Sequence, residues 1–151
     1  MKLTEANNIT HLRHEHTLDS VIIAMTELHF KHASQLLQSF ADDLAHHMRI
    51  EETFVQPLIE TTDNKLARQV EGDHKILLKS LKKCQAILKQ LIEADYPNMR
   101  LLMVKNLDGF IRLRAVLEHH TIRETDLVYT YLDQQNSQLP EHLAESLKKA
   151  D

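Results

Sequence analysis

Two stretches of this chain pair an imidazole with a carboxylate one helical turn on, His47-Met48-Arg49-Ile50-Glu51 and His120-Thr121-Ile122-Arg123-Glu124. Side chains four residues apart in a helix lie one above the other, so each His-x-x-x-Glu can aim a nitrogen and an oxygen at one point. A cation is what such a point would hold. Both pairs occupy positions where apolar residues belong. Leu37, Phe40, Leu44, His47, Glu51, Phe54 or Val55, and Leu58 recur at spacings of three and four, the seam that a bundle helix turns to its core. Met103, Phe110, Leu113, Leu117, His120, Glu124, Leu127 and Tyr131 hold the same register. An isolated carboxylate in an apolar core stays ionised only if it is paired, hydrogen-bonded or metal-bound. Two such pairs in one small core point to metal.

The elements that must position these residues are helices. With 2 glycines and 3 prolines in 151 residues there is little turn chemistry for hairpins, and strong helix formers dominate. A first helix is expected from near Asn8, turning Ile9, Leu12, His16, Ile23 and Leu28 inward. A short connection at Phe30 and Lys31 leads to a second helix from about His32 to about Glu60, loosened near its end by Pro57. Thr61-Thr62-Asp63-Asn64 reads as a loop with cap residues. The third helix, about Lys65 to Ala94, carries a stripe of Ala67, Val70, His74, Leu77, Leu81, Cys84, Leu88 and Leu91, which a single histidine interrupts. After Asp95-Tyr96-Pro97-Asn98 a fourth helix extends to about Gln134. A polar loop at 135–138 follows, and Pro140 opens a short amphipathic helix through Lys149. The expected fold is all-α: a single domain spanning 1–151, an up-down-up-down four-helix bundle with a short C-terminal extra helix.

Helix rise places the polar residues at one height. From His16 to the first turn is roughly 18 Å and from that turn back to His47 roughly 22 Å; the legs to His74 and His120 about the third turn are roughly 30 and 33 Å, and those across the second loop roughly 20 and 15 Å. The expected cluster is therefore His16, His47, Glu51, His74, His120 and Glu124. His11, His14 or Glu71 can add a further ligand. His46 and His119 lie about 100° off the seam, as neighbours rather than ligands. His29, His32, His142 and Glu52 read as exposed, and Tyr131 as core packing.

The pattern of one core histidine followed by a core His-x-x-x-Glu, twice over, resembles the hemerythrin-like, or HHE cation-binding, family. The resemblance spans nearly the whole chain. His47-Met48-x-x-Glu51-Glu52 is close to the family's second-helix motif. It implies a non-haem centre of two iron ions joined by an oxo or hydroxo bridge and by Glu51 and Glu124. His16 and His47 would bind one iron, and His74 and His120 the other. Oxygen-carrying members place a fifth histidine one turn after the third-helix ligand, where this chain has Leu78; about two coordination positions are then left open rather than one. The function implied is binding or sensing O2 or NO, with a di-iron enzyme acting on peroxide, O2 or NO in stress or iron handling as the alternative. An interaction module without functional metal is the third reading.

Other classes fit less well. A ferritin-like site needs two Glu-x-x-His motifs, and only Glu71-Gly72-Asp73-His74 has that form. Bis-histidine haem leaves Glu51 and Glu124 without a role. Zinc or manganese can use the same ligands. A formal charge of -4 excludes a basic footprint for nucleic acid, and Lys75, Lys79, Lys82, Lys83 and Lys89 read as a solvated face. The single cysteine, Cys84, excludes an internal disulfide and a thiolate cage. With no apolar targeting segment and no membrane-length run, the expected location is cytoplasmic. No residue pattern names a protein partner.

Overall fold

The computed structural model describes residues 2–135 and 142–148. Pro140, most of the expected polar loop and the end of the last helix lie outside the described residues. Every element found is helical: α1 (Leu3–Thr26), α2 (Phe30–Ile50), a π-helical turn (Glu51–Val55), α3 (Gln56–Glu60), α4 (Asn64–Glu93), α5 (Asn98–Arg123), a second π-helical turn (Glu124–Tyr129), α6 (Thr130–Gln134) and α7 (Leu143–Lys148). Among the described residues there is no strand. Among the described residues no helix is long and apolar enough to cross a membrane.

The long helices pack in a cycle, α1 on α2, α2 on α4, α4 on α5, and α5 back on α1. Two apolar clusters fill the space between them. The larger holds Leu18, Val21 and Met25 of α1, Leu37, Phe40 and Leu44 of α2, Leu77, Leu81 and Leu88 of α4, and Phe110, Leu113 and Leu117 of α5. The smaller holds Leu3 and Ala6 with Val55, Ile59, Val70, Val128, Tyr129, Leu132, Leu143 and Leu147. The buried histidines and glutamates lie in sequence between these two groups on every long helix, which puts the polar layer at their junction.

Helix α1 begins earlier than Asn8 because a distant side chain caps it. The Asp133 carboxylate accepts the backbone N–H groups of Leu3 (2.8 Å) and Thr4 (3.1 Å) and the Thr4 hydroxyl (2.5 Å). It thereby satisfies donors that a helix N-terminus otherwise leaves open. Helix α7 adds a further tie, its Leu147 carbonyl accepting the buried Thr10 hydroxyl. The turn between α1 and α2 lies at Glu27–His29, ahead of the expected Phe30–Lys31, and Leu28 takes a left-handed conformation (φ 61°) there. Its N–H and that of His29 close the helix end onto Met25 and Ala24, the pattern of a Schellman cap. A glycine would carry this conformation without strain; the Leu28 side chain offsets the cost by packing on the core.

The expected inward stripe of α1 is overturned except at Leu28. Ile9 is 48%, Leu12 54% and Ile23 56% exposed, and His16 is exposed with them. The buried stripe is Leu3, Asn7, Thr10, His11, His14, Leu18, Val21 and Met25. Helix α1 is apolar on two sides, so periodicity alone presents two candidate seams, and the one with the larger side chains faces outward.

Candidate metal centre

Each long helix delivers ligands from its buried stripe. Helix α1 contributes His11, α2 His47, α4 His74 and α5 His120, while Glu51 and Glu124 open the two π-helical turns. All six are at most 5% exposed. A π turn holds one more residue than an α turn, so it moves everything downstream by one position around the helix. Val55 and Ile59 are accordingly buried where α periodicity projects Phe54 and Leu58, and Val128 and Leu132 are buried where it projects Leu127 and Tyr131. Pro57 follows the first π turn, but none accompanies the second; what the two turns share is a buried glutamate at their start.

The distances form two groups joined by the carboxylates. On one side, Glu51 Oε2 lies 3.2 Å from His74 Nε2, and Glu124 Oε1 lies 3.5 Å from His74 Nε2 and 3.1 Å from His120 Nε2. On the other, Glu51 Oε1 lies 3.2 Å from His47 Nε2, Glu124 Oε2 lies 3.3 Å from His11 Nε2, and the two imidazole nitrogens are 3.1 Å apart. Atoms of Glu51, His74, His120 and Glu124 all fall within 4.8 Å of one another, as do atoms of His11, His47 and Glu124. Each carboxylate thus divides its oxygens between two histidine pairs.

Whether the residues fit metal can be asked of the buried atoms themselves. His74 Nε2, His120 Nε2, Glu51 Oε2 and both Glu124 oxygens are buried and make no hydrogen bond. Their separations are those of ion pairs, without the alignment a hydrogen bond needs. Buried polar atoms left this way are costly, and lone pairs that converge are the arrangement a cation satisfies. The donor set fits a divalent transition metal.

Electrostatics keeps the centre charged. Burial alone raises the Glu51 pKa, but His47 and His74 together hold it well below the usual carboxylate range. Burial and the Glu51 charge push Glu124 up, yet His120, His11 and His74 hold it below its ordinary value. Burial lowers His74, and the two glutamates reverse this, taking it to about 10. His47 is likewise raised against its burial, chiefly by Glu51. For His11 burial prevails and the pKa falls.

The structure brings five of the six expected residues together, His47, Glu51, His74, His120 and Glu124. It leaves out His16, which sits about 140° around the helix from His11. His11 takes its place. His14 is also buried, against the rings of Phe40 and His47, but its Nε2 approaches Asp43 at 3.0 Å rather than a glutamate of the centre. Burial lowers His14 to about 4, and Asp43, held by His14 and by a two-pronged pair with Arg13 (2.7 and 3.0 Å), stays below its ordinary range. Glu71 is exposed and pairs with Lys75, and Leu78 is 38% exposed. His29, His32, His119, His142 and Glu52 are exposed, and so are Lys75, Lys79, Lys82, Lys83 and Lys89 of α4. Cys84 is buried, which pushes its thiol up to about 11.

Three neighbours went unread in the sequence. The Tyr129 hydroxyl donates to Glu51 Oε1 at 2.5 Å. Asn7 Nδ2 lies 3.3 Å from His11 Nδ1, and Asp73, paired with Arg123 at 2.6 Å, lies 3.9 Å from His120 Nδ1. The heptad-like recurrence of Leu3, Asn7, Thr10, His14, Leu18, Val21 and Met25 held a signal for Asn7; Tyr129 had none, because the π turn puts it in phase. No protein-family model, curated protein or solved structure matches this chain.

Proposed function

We propose that this protein carries a centre of two non-haem iron ions and uses it to bind or sense O2 or another small diatomic such as NO, in the manner of the hemerythrin-like family its histidine and glutamate pattern resembles. In this reading the four long helical stretches form an up-down-up-down bundle, with α7 as the added short helix. The observation that carries the proposal is the division of both buried carboxylates: Glu51 and Glu124 each turn one oxygen to His74 and its neighbours and the other to the His11 and His47 side. One ion would use one oxygen of each; two ions account for all four.

His74, His120, Glu51 Oε2 and Glu124 Oε1 would hold one ion, and His11, His47, Glu124 Oε2 and Glu51 Oε1 the other. When bound, paired iron supplies reversible redox change and positions at which a diatomic can coordinate. The chain itself does the rest. The two glutamates bring net negative charge to offset the cations, and the histidines supply neutral nitrogen donors. Leu44, Leu77 and Leu117, one turn from the ligands on three helices and 0–1% exposed, close one side of the layer, and Val55, Val70 and Val128 close the other. This keeps bulk water from the ligands and strengthens each electrostatic contact.

The test is anaerobic Fe(II) loading of the full chain, then exposure to O2. Two irons per chain and a reversible charge-transfer spectrum are expected, with His47→Ala losing most of the iron. Uptake of one ion or none overturns the two-metal reading. Two irons with rapid consumption of peroxide or NO, and no stable adduct, replaces the binding role by an enzymatic one.

A further inference from the structure

Resting on the two-metal reading, we infer that the halves of the centre are unequal and load in order: the His74 and His120 half takes its ion first, while hydrogen bonds from Tyr129 and Asn7 hold the His11 and His47 half closed.

The contrast lies in what each inward atom already touches. In the first half, His74 Nε2, His120 Nε2, Glu51 Oε2 and Glu124 Oε1 are buried and none has a hydrogen-bond partner. An ion entering there breaks no hydrogen bond. In the second half, the inward nitrogens of His11 and His47 face each other at 3.1 Å, a distance at which a proton stands between them. Glu51 Oε1 is occupied by the Tyr129 hydroxyl. Tyr129 is 0% exposed, and its hydroxyl is the donor of that bond. That bond takes one lone pair of Oε1 and draws charge from the oxygen. Only His11, His47 and Glu124 then converge closely on this side, three ligands against four.

Asn7 fixes where the His11 proton sits. Its amide nitrogen can only donate, so at 3.3 Å from His11 Nδ1 it requires that Nδ1 be the bare nitrogen. The proton of the neutral ring is then on Nε2, facing His47 and, at 3.3 Å, Glu124 Oε2. A metal-ligating nitrogen must be bare. For Nε2 to bind an ion, the proton must move to Nδ1 and the Asn7 amide must turn to accept it. Asn7 Oδ1, buried and without a hydrogen-bond partner, is the acceptor that turn would present. On the other half, His120 Nδ1 makes no hydrogen bond, and its charged neighbour at 3.9 Å is the Asp73 carboxylate, an acceptor, so no donor there has to turn for Nε2 to be bare. Tyr129 and Asn7 are positioning residues: they act on the ion through Glu51 and His11.

The experiment is an anaerobic titration of the full chain with Co(II), followed by calorimetry and by its visible ligand-field bands. Two resolved steps are expected, and His11→Ala should remove only the second. Tyr129→Phe frees a lone pair of Glu51 Oε1, and Asn7→Asp puts an acceptor beside His11 Nδ1. Both nearly isosteric variants should leave the first step in place and tighten the second about tenfold or more, the scale of one charge-assisted hydrogen bond. Two indistinguishable steps in the wild type, loss of the first step in His11→Ala, or a second step that neither variant moves would each overturn the ordered loading and leave the two-metal centre standing. Failure of the wild-type chain to bind Co(II) at all overturns both.

Discussion

Metal-free protein should lose stability as pH rises from 6.5 to 8.5, whereas metal-saturated protein should gain it. The lever is His74, whose pKa in the folded chain is raised from 6.5 to about 10 by Glu124 and Glu51 acting against burial. A group whose folded pKa is raised contributes stability that is complete below its unfolded pKa and is lost as pH climbs toward the folded one. Over the two pH units from 6.5 to 8.5 the loss from His74 is about 2 kcal/mol, near the limit of 1.4 kcal/mol per pH unit for one proton. His47, also raised, adds in the same sense. His11 and His14 are lowered, so their contributions vary only below 6.5 and do not cancel the slope. The window also stays below Cys84, whose thiol shifts from 9.0 to about 11. With metal bound the linkage inverts, because a ligating histidine must be neutral and each displaced proton makes apparent affinity rise about tenfold per pH unit. Guanidinium unfolding at pH 6.5, 7.5 and 8.5, with chelator and with saturating Co(II), reads both slopes. A metal-free stability that is flat or rises over this range would refute the reasoning, as would the same slope in His74→Gln.

Asp133→Ala removes the acceptor for two N–H groups at the start of α1 and for the Thr4 hydroxyl. It should cost about 1–2 kcal/mol, which thermal unfolding would show as a fall of about 2–8 °C; an unchanged Tm would mean that the cap is dispensable. His16→Ala should leave metal stoichiometry and affinity as they are, since His16 is exposed, and elemental analysis after loading checks this. Leu78→His should likewise add no ligand, because Leu78 is 38% exposed on the lysine-bearing side of α4; a shifted Co(II) spectrum would show that the side chain reaches the centre after all.

What the sequence determined by itself is the helical composition, the boundaries near Asp63 and Pro97, and the placing of His47, Glu51, His74, His120 and Glu124 on buried stripes. These follow from local rules: helix formers without turn residues, apolar side chains every three or four positions, and the cost of a carboxylate among them. On α2 and α4 only one side is apolar, so periodicity had a single answer. On α1 it had two, and tertiary packing chose the side with Asn7, His11 and His14, where small and polar groups meet the charged layer, leaving Ile9, Leu12 and Ile23 in solvent. Packing also decided the π turns at Glu51 and Glu124. An added residue per turn has no signature in the hydrophobic pattern that precedes it, yet it rotates the rest of each helix and brings Tyr129 rather than Tyr131 to Glu51. Asp133 reaches the first turn of α1 across 130 residues of chain. Contacts of that range belong to the arrangement of helices in space, because nothing in either segment's own periodicity specifies the other.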